Sequence, residues 1–242
     1  MFNLLRHGVC VPLRWTAAAA LAAAVGGAGA APVTYVETFD DGQNHSGWTW
    51  DRTPRGQVVA SGGNPGGYFQ SDLMAVPALF GSGAVFTGDF RARAVGSIGG
   101  DLATVQFATP GTVISVSLGH HNGQPNNPLA HTFASFVTTI AAPVNPDDGW
   151  VSFDVDIPYD ATETPDGWTL GGVMPQLPPT VDWNTLITHV DEIVISWGDP
   201  SQPVLLFDVV RGADNLRITW NVPAPGGAAA LGLAALPLAR RR

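Results

Sequence analysis

Lysine is absent from all 242 residues, and eleven arginines carry the whole of the basic side-chain charge. Without lysine there can be no Walker A lysine, no Schiff-base lysine and no lysine-rich nucleic-acid arm. Cysteine is nearly absent: Cys10 is the single one, and it lies in an N-terminal stretch that reads as a cleavable leader. Once the leader is removed, no disulfide can form, so the exported chain must be held by burial or by a bound ion. Charged residues make up only 13% of the chain, and no long amphipathic helical pattern runs through it. What is abundant is turn chemistry, with 29 Gly and 20 Pro beside a hydrophobic fraction of 45%. That combination suits many short strands joined by turns better than a helical bundle.

The two ends carry addressing signals. Arg6, His7 and Arg14 precede an apolar run from Trp15 to Val25, followed by Ala28-Gly29-Ala30. A basic region, an apolar core and small residues in that order predict a signal peptide over 1–30. At the other end, Val222-Pro223-Ala224-Pro225 leads into Gly226–Ala239, rich in Ala, Gly and Leu, and then Arg240-Arg241-Arg242. Fourteen residues as helix span about 21 Å, short of a bilayer core. A proline motif, an apolar segment and an arginine cluster resemble the PEP-CTERM family of bacterial surface-sorting tails, although the usual glutamate is Ala224 here. The resemblance implies an exosortase-type sorting protease as partner, transient membrane association through 222–242 and a cell-surface or extracellular destination. Between these ends, six arginines stand against all twenty acidic residues. This disfavours nucleic acid and anionic lipid, and leaves sugars and cations.

Within 31–221 the pattern is β. Val33–Phe39, Gln57–Ala60, Ala103–Phe107, Val113–Leu118, Val151–Ile157 and Leu216–Trp220 alternate or are β-branched, and Phe90, Ala92 and Ala94 alternate with Arg91 and Arg93. Val204–Val210 is almost continuously apolar and reads as a central strand. Trp183, Leu186, Ile187 and Val190 recur at helical spacing, predicting one short helix near 182–190. The expected fold is all-β, an antiparallel β-sandwich of jelly-roll type with that one helix. Ser61-Gly62-Gly63-Asn64-Pro65-Gly66-Gly67-Tyr68 reads as a rigid turn delivering Tyr68 and Phe69 into a strand. This stretch, together with Phe39-Asp40-Asp41-Gly42, Gly47-Trp48-Thr49, Phe86–Phe90, Gly99–Leu102, Trp150–Phe153 and Ala213–Ile218, resembles laminin IV-type (laminin B) domains in order and spacing. The resemblance covers most of 35–220. It implies a galactose-binding-like jelly roll that recognises extracellular glycan or matrix.

Several side-chain sets are candidates for chemistry. Glu37, Asp40 and Asp41 close the first strand and Asp214 opens the last, where jelly rolls of the carbohydrate-binding kind often hold a structural Ca²⁺; ordinary turn aspartates are the competing reading. Trp48, Trp50, Tyr68 and Trp168 are the candidate sugar-stacking rings, with the core as the competing fate of each. His120, His121 and His131 fall in a polar loop whose adjacent histidines point apart, so they are expected to be solvated rather than metal-bound. Asp154 and Asp156 share a strand face about 7 Å apart, a spacing that a glycosidase or lyase could use. Alternating acids on a wet sheet face look the same, and no nucleophile elbow is present. The leading expectation is a non-catalytic, surface-associated recognition protein. A carbohydrate-active enzyme and a purely structural matrix protein stand as alternatives.

Overall fold

The computed structural model describes residues 31–75, 78–107, 112–172, 177–200 and 208–221. The signal segment 1–30, the tail 222–242 and the apolar residues 204–207 lie outside them. Thirteen strands and one short helix follow in chain order. The first seven strands are β1 (Pro32–Glu37), β2 (Thr49–Trp50), β3 (Gln57–Gly63), β4 (Gly66–Gln70), β5 (Met74–Ala75), β6 (Leu79–Gly81) and β7 (Val95–Gln106). Then come β8 (Val113–His120), β9 (Thr132–Ala141), β10 (Val151–Asp156), β11 (Trp168–Gly172), α1 (Trp183–Thr188), β12 (Glu192–Trp197) and β13 (Asp208–Asn221).

They form two antiparallel sheets. One has the order β10-β7-β13-β4-β3, with β1 and β5 also paired to β13; the other runs β11-β9-β8-β12-β6-β2. The whole of β1 pairs with the C-terminal part of β13, from Pro32 opposite Asn221 to Glu37 opposite Leu216. This is the all-β sandwich the alternation predicts. Ile114, Val116, Leu118, Ile193, Ile195, Leu216 and Ile218 point between the sheets with no exposed surface, while Ser152, Asp154 and Asp156 alternate outward from Phe153 and Val155. Among the described residues, no helix is long and apolar enough to cross a membrane.

Helix α1 starts where the spacing places it. Asp182 caps it by accepting from the Thr185 backbone N–H at 2.8 Å, and Trp183, Leu186 and Ile187 are buried. The glycine stretch closes a hairpin between β3 and β4, with a cis Asn64–Pro65 bond at its tip. Gly66 has φ +93°, and a Cβ there would run into the Asp40 carboxylate, so both its dihedral and its space require glycine.

One strand expectation fails. Phe90–Ala94 is a turn, and β7 begins only at Val95. Asp89 takes the Ala92 N–H at 2.8 Å, Ala94 has φ +50°, and Val95 N–H reaches Phe90 O. The two arginines are structural donors rather than a wet face. Arg91 bonds the Tyr159 and Ala161 carbonyls, and Arg93 those of Thr87 and Val85. Alternation alone cannot distinguish a strand from a side-chain-capped turn of the same length. The expected strand over 204–210 is seen only from Asp208, as the start of β13.

Candidate functional site

The predicted aromatic platform is interior. Trp48 and Trp50 are 2% and 0% exposed, and Tyr68 and Trp168 are 7% each. Trp48 packs edge-on to Phe86, Trp50 stacks on Phe69, Tyr68 meets Trp150, and Trp168 lies against Trp183. Rings so enclosed have no free face for a sugar, and they take the core role instead.

The predicted calcium carboxylates do not converge. Glu37 is buried and filled by donors: the hydroxyls of Tyr35 at 3.0 Å and Ser46 at 2.6 Å, and the His45 N–H at 3.1 Å. Asp41 turns outward to His45 and the Gln43 N–H. Asp40 and Asp214 instead hold the glycine hairpin, accepting from the Gly67 N–H at 2.9 Å and the Asn64 N–H at 2.6 Å. Asp101 joins them through the side-chain amides of Asn64 and Asn215. Burial, with the nearby Asp101 and Asp40 charges, pushes the Asp214 carboxyl up to about 6 although two N–H groups pull it down. The hairpin's amides bond these carboxylates without offsetting burial and their mutual repulsion. Asp154, one of the paired acids proposed for catalysis, is held by Arg217 Nε at 3.0 Å on the outer face of its sheet.

Among the described residues, two hollows lie elsewhere, on the outer face of the β11–β2 sheet. Strand register lays out its rows: Val194 is opposite Ser117, Ser117 opposite Ser135, and Ser135 opposite Thr169. The next row is Glu192, Gly119, Phe133 and Gly171, and Phe80 stands beside Val194. Residues directly opposite share a face, so these side chains form one surface. Two adjoining hollows of about 220 and 210 Å³ cross it and share Phe133, Ser135, Gly172 and Pro200. The first is bounded by Arg52 and Phe80, the second extends to Gly167 and Thr169. Five strands at about 4.8 Å spacing give a trough of roughly 19 Å. Its floor mixes two phenyl rings with the hydrogen-bonded hydroxyls of Ser117 and Ser135, 2.7 Å apart.

Arg52 sets one end of the trough. Asp51 and Ala78 bond reciprocally through backbone and carboxylate, which fixes the turn after β2 and projects Arg52 over the Phe80 ring at 4.3 Å. Its guanidinium holds Glu192 with Nε–Oε2 at 3.0 Å and Nη2–Oε1 at 2.7 Å. Burial alone would push the Glu192 carboxyl up, but the Arg52 pairing, helped by His121, outweighs it and holds the group below its usual range.

Beside Glu192 the structure corrects the expectation of a solvated histidine loop. His120 does turn away, to the His189 carbonyl and Asp191. His121 and His131, however, stack at 4.2 Å between ring centroids, and His131 is 2% exposed. Together with Glu192 they are the group of three possible metal donors found among the described residues, with all ligand atoms within 4.8 Å of one another.

The sequence did not point to the trough, and it named His120, His121 and His131 only to expect them solvated. Ser115 and Ser117 could be seen to face outward by alternation in β8, but which outward row forms a hollow depends on cross-strand register. His121 and His131 are ten residues apart and meet only because β8 and β9 are a hairpin.

No family model matches the chain, and no curated protein matches it. Among solved structures, the N-terminal CBM22-1–CBM22-2 tandem domain of Xyn10C from Paenibacillus barcinonensis is similar at 14% identity and TM-score 0.47, over 77% of this chain and 50% of that one. The CBM22-1 xylan-binding domain of the same protein is similar at 11% identity and TM-score 0.44, over 78% of this chain and 94% of that one. The family 11 carbohydrate-binding module of Clostridium thermocellum, in complex with a beta-1,3-1,4-mixed-linked tetrasaccharide, is similar at 11% identity and TM-score 0.40, over 79% and 89%. This chain therefore spans half of the tandem structure and most of the single modules. At these scores the likenesses carry no argument about this chain, and the sandwich architecture rests on its strand pairing.

Proposed function

We propose that this protein recognises an extracellular polysaccharide along the trough on the outer face of the β11–β2 sheet, without chemically altering it. The observation that carries this reading is the trough's lining. Phe80 and Phe133 offer apolar ring surface for sugar C–H groups, and Ser135, Ser196 and Thr169 offer hydroxyls for sugar hydroxyls. An open, elongated hollow fits a stretch of polymer better than an enclosed small molecule. The acidic balance of the chain also favours a neutral ligand over an anionic one. Asp154 and Asp156, the acids of the catalytic alternative, lie on the outer face of the opposite sheet from the trough, and Asp154 is bonded to Arg217.

The finer setting belongs to the same proposal. Residues 1–30 direct export, 31–221 form the recognition domain, and 222–242 pass to a sorting protease and place the protein at the cell surface as an adhesin of laminin IV-like kind. The test is an affinity gel cast with a panel of soluble polysaccharides. Xylan and mixed-linked β-glucan, the glycans named with the similar structures, head the panel. The full chain should be retarded by at least one, and Phe133→Ala should be retarded measurably less while its melting midpoint holds. If Phe133→Ala migrates as the parent does in every retarding gel, the trough is not the binding face.

A further inference from the structure

We infer that His121, His131 and Glu192 form a binding site for one divalent transition-metal ion of the Zn²⁺ kind. The inference does not depend on glycan binding.

The strands dictate the placement. His120 pairs with Thr132 at the end of the β8–β9 ladder, which sets His121 and His131 opposite one another one step further on. Across the other edge of β8, Glu192 is opposite Gly119. A Cβ on Gly119 would lie 2.7 Å from Glu192 Cγ and 2.7 Å from Phe133 Cε1. The missing side chain is thus what lets Glu192 lean over β8 towards the histidines.

The donor atoms are already close together. His131 Nε2 lies 3.1 Å from the Gln124 carbonyl, which can only accept, so Nε2 carries the proton. In the neutral ring Nδ1 then presents its lone pair, and that atom is buried with no hydrogen-bond partner. His121 Nε2 is likewise buried without one; it approaches Glu192 Oε1 at 3.2 Å, but not in hydrogen-bond geometry. One imidazole nitrogen with no partner, on His131, and a second, on His121, whose single contact is the Glu192 carboxylate are costly in an otherwise satisfied interior. A metal ion would use all three.

Outer partners match those of metal ligands. The imidazole is steered by a backbone carbonyl and the carboxylate by a second donor, here Arg52. Two nitrogens and one oxygen suit Zn²⁺, Co²⁺ or Ni²⁺ rather than Ca²⁺. Donors around a tetrahedral ion lie about 3.4 Å apart; the set is already within 4.8 Å, and binding requires the two imidazoles to turn out of their 23° stack so that both lone pairs meet the ion. Three protein donors leave one position for water or for a group of a ligand in the adjoining trough. Bound there, the ion would pin the His121–His131 loop to β12.

Cobalt is the probe, because its visible spectrum reports geometry. The full chain, free of any histidine tag and stripped with chelator, is titrated with Co²⁺. The expected result is intense tetrahedral absorption that saturates at one ion per chain and is bleached by Zn²⁺, with a melting midpoint several degrees higher in Zn²⁺ than in chelator. His121→Gln, at the more exposed of the two rings, and His131→Gln should each abolish the absorption; His45→Gln and His120→Gln should keep it. A weak, non-saturating spectrum from the parent chain overturns the proposal without recourse to any variant. So does tetrahedral absorption that survives His121→Gln in a variant that melts cooperatively.

Discussion

Arg52 ties together more of the candidate site than any other side chain. Its guanidinium lies on Phe80, binds Glu192 through two nitrogens and forms one wall of the trough. The rings it accompanies differ in role from the tryptophans the sequence brought forward. Phe133→Ala should weaken binding roughly two- to tenfold, as the loss of about 0.5–1.5 kcal/mol of aromatic contact would, and calorimetry against the retarding glycan measures it. Trp48→Ala should instead cost about 3–5 kcal/mol of folding stability, read in urea unfolding, because the ring is enclosed. A Trp48→Ala protein of parental stability that no longer binds would reverse these assignments. Asp214 offers a test of the interior. Its raised value means the folded state holds a proton that the unfolded chain, near 3.8, has already lost. Its stabilising contribution is complete below 3.8 and disappears as pH rises through about 6. A carboxyl-carbon NMR titration should place its midpoint near 6, and a midpoint in the ordinary aspartate range would contradict the buried acidic cluster.

At the scale of elements, the β3–β4 hairpin is built by carboxylates and amides acting together. Gly66→Ala would force a Cβ towards Asp40 at a positive φ, so a loss of more than about 1 kcal/mol is expected in chemical denaturation. Because Asp40 and Asp214 are already supplied by backbone N–H groups, the melting midpoint with Ca²⁺ should equal that with a calcium chelator. A calcium-dependent rise would restore the ion. Helix α1 should lose about 1 kcal/mol when Asp182→Ala removes its cap. These elements were readable to different degrees. The cap, the apolar spacing of α1 and the glycine turn are local signals, and the structure has them where the sequence puts them. Phe90–Ala94 misleads because Asp89 captures the backbone of a segment whose residue pattern mimics a strand. The calcium set looked plausible because strand ends placed its acids near one another in topology, while side-chain direction sent Glu37 and Asp41 elsewhere.

For the whole molecule, pairing of β1 with β13 closes the sandwich with strands from opposite ends of the described chain. The architecture was legible because period-two alternation separates the two faces of every long strand. The trough was not, because it depends on which of six strands lie side by side and where glycines leave the floor low. The proposed export and sorting are tested at this scale as well: if 222–242 hold the protein at the cell surface, deleting them shifts it to the medium in fractionation, and an unchanged distribution removes the tail's role. The central claim is that one face of one sheet recognises glycan. Amide chemical shifts, followed while the retarding polysaccharide's oligosaccharide is added, test it most directly. Shifts confined to Phe80, Ser117, Phe133, Ser135, Thr169 and their neighbours are predicted; shifts gathered instead around Ser152, Asp154 and Arg217 on the opposite sheet would contradict it.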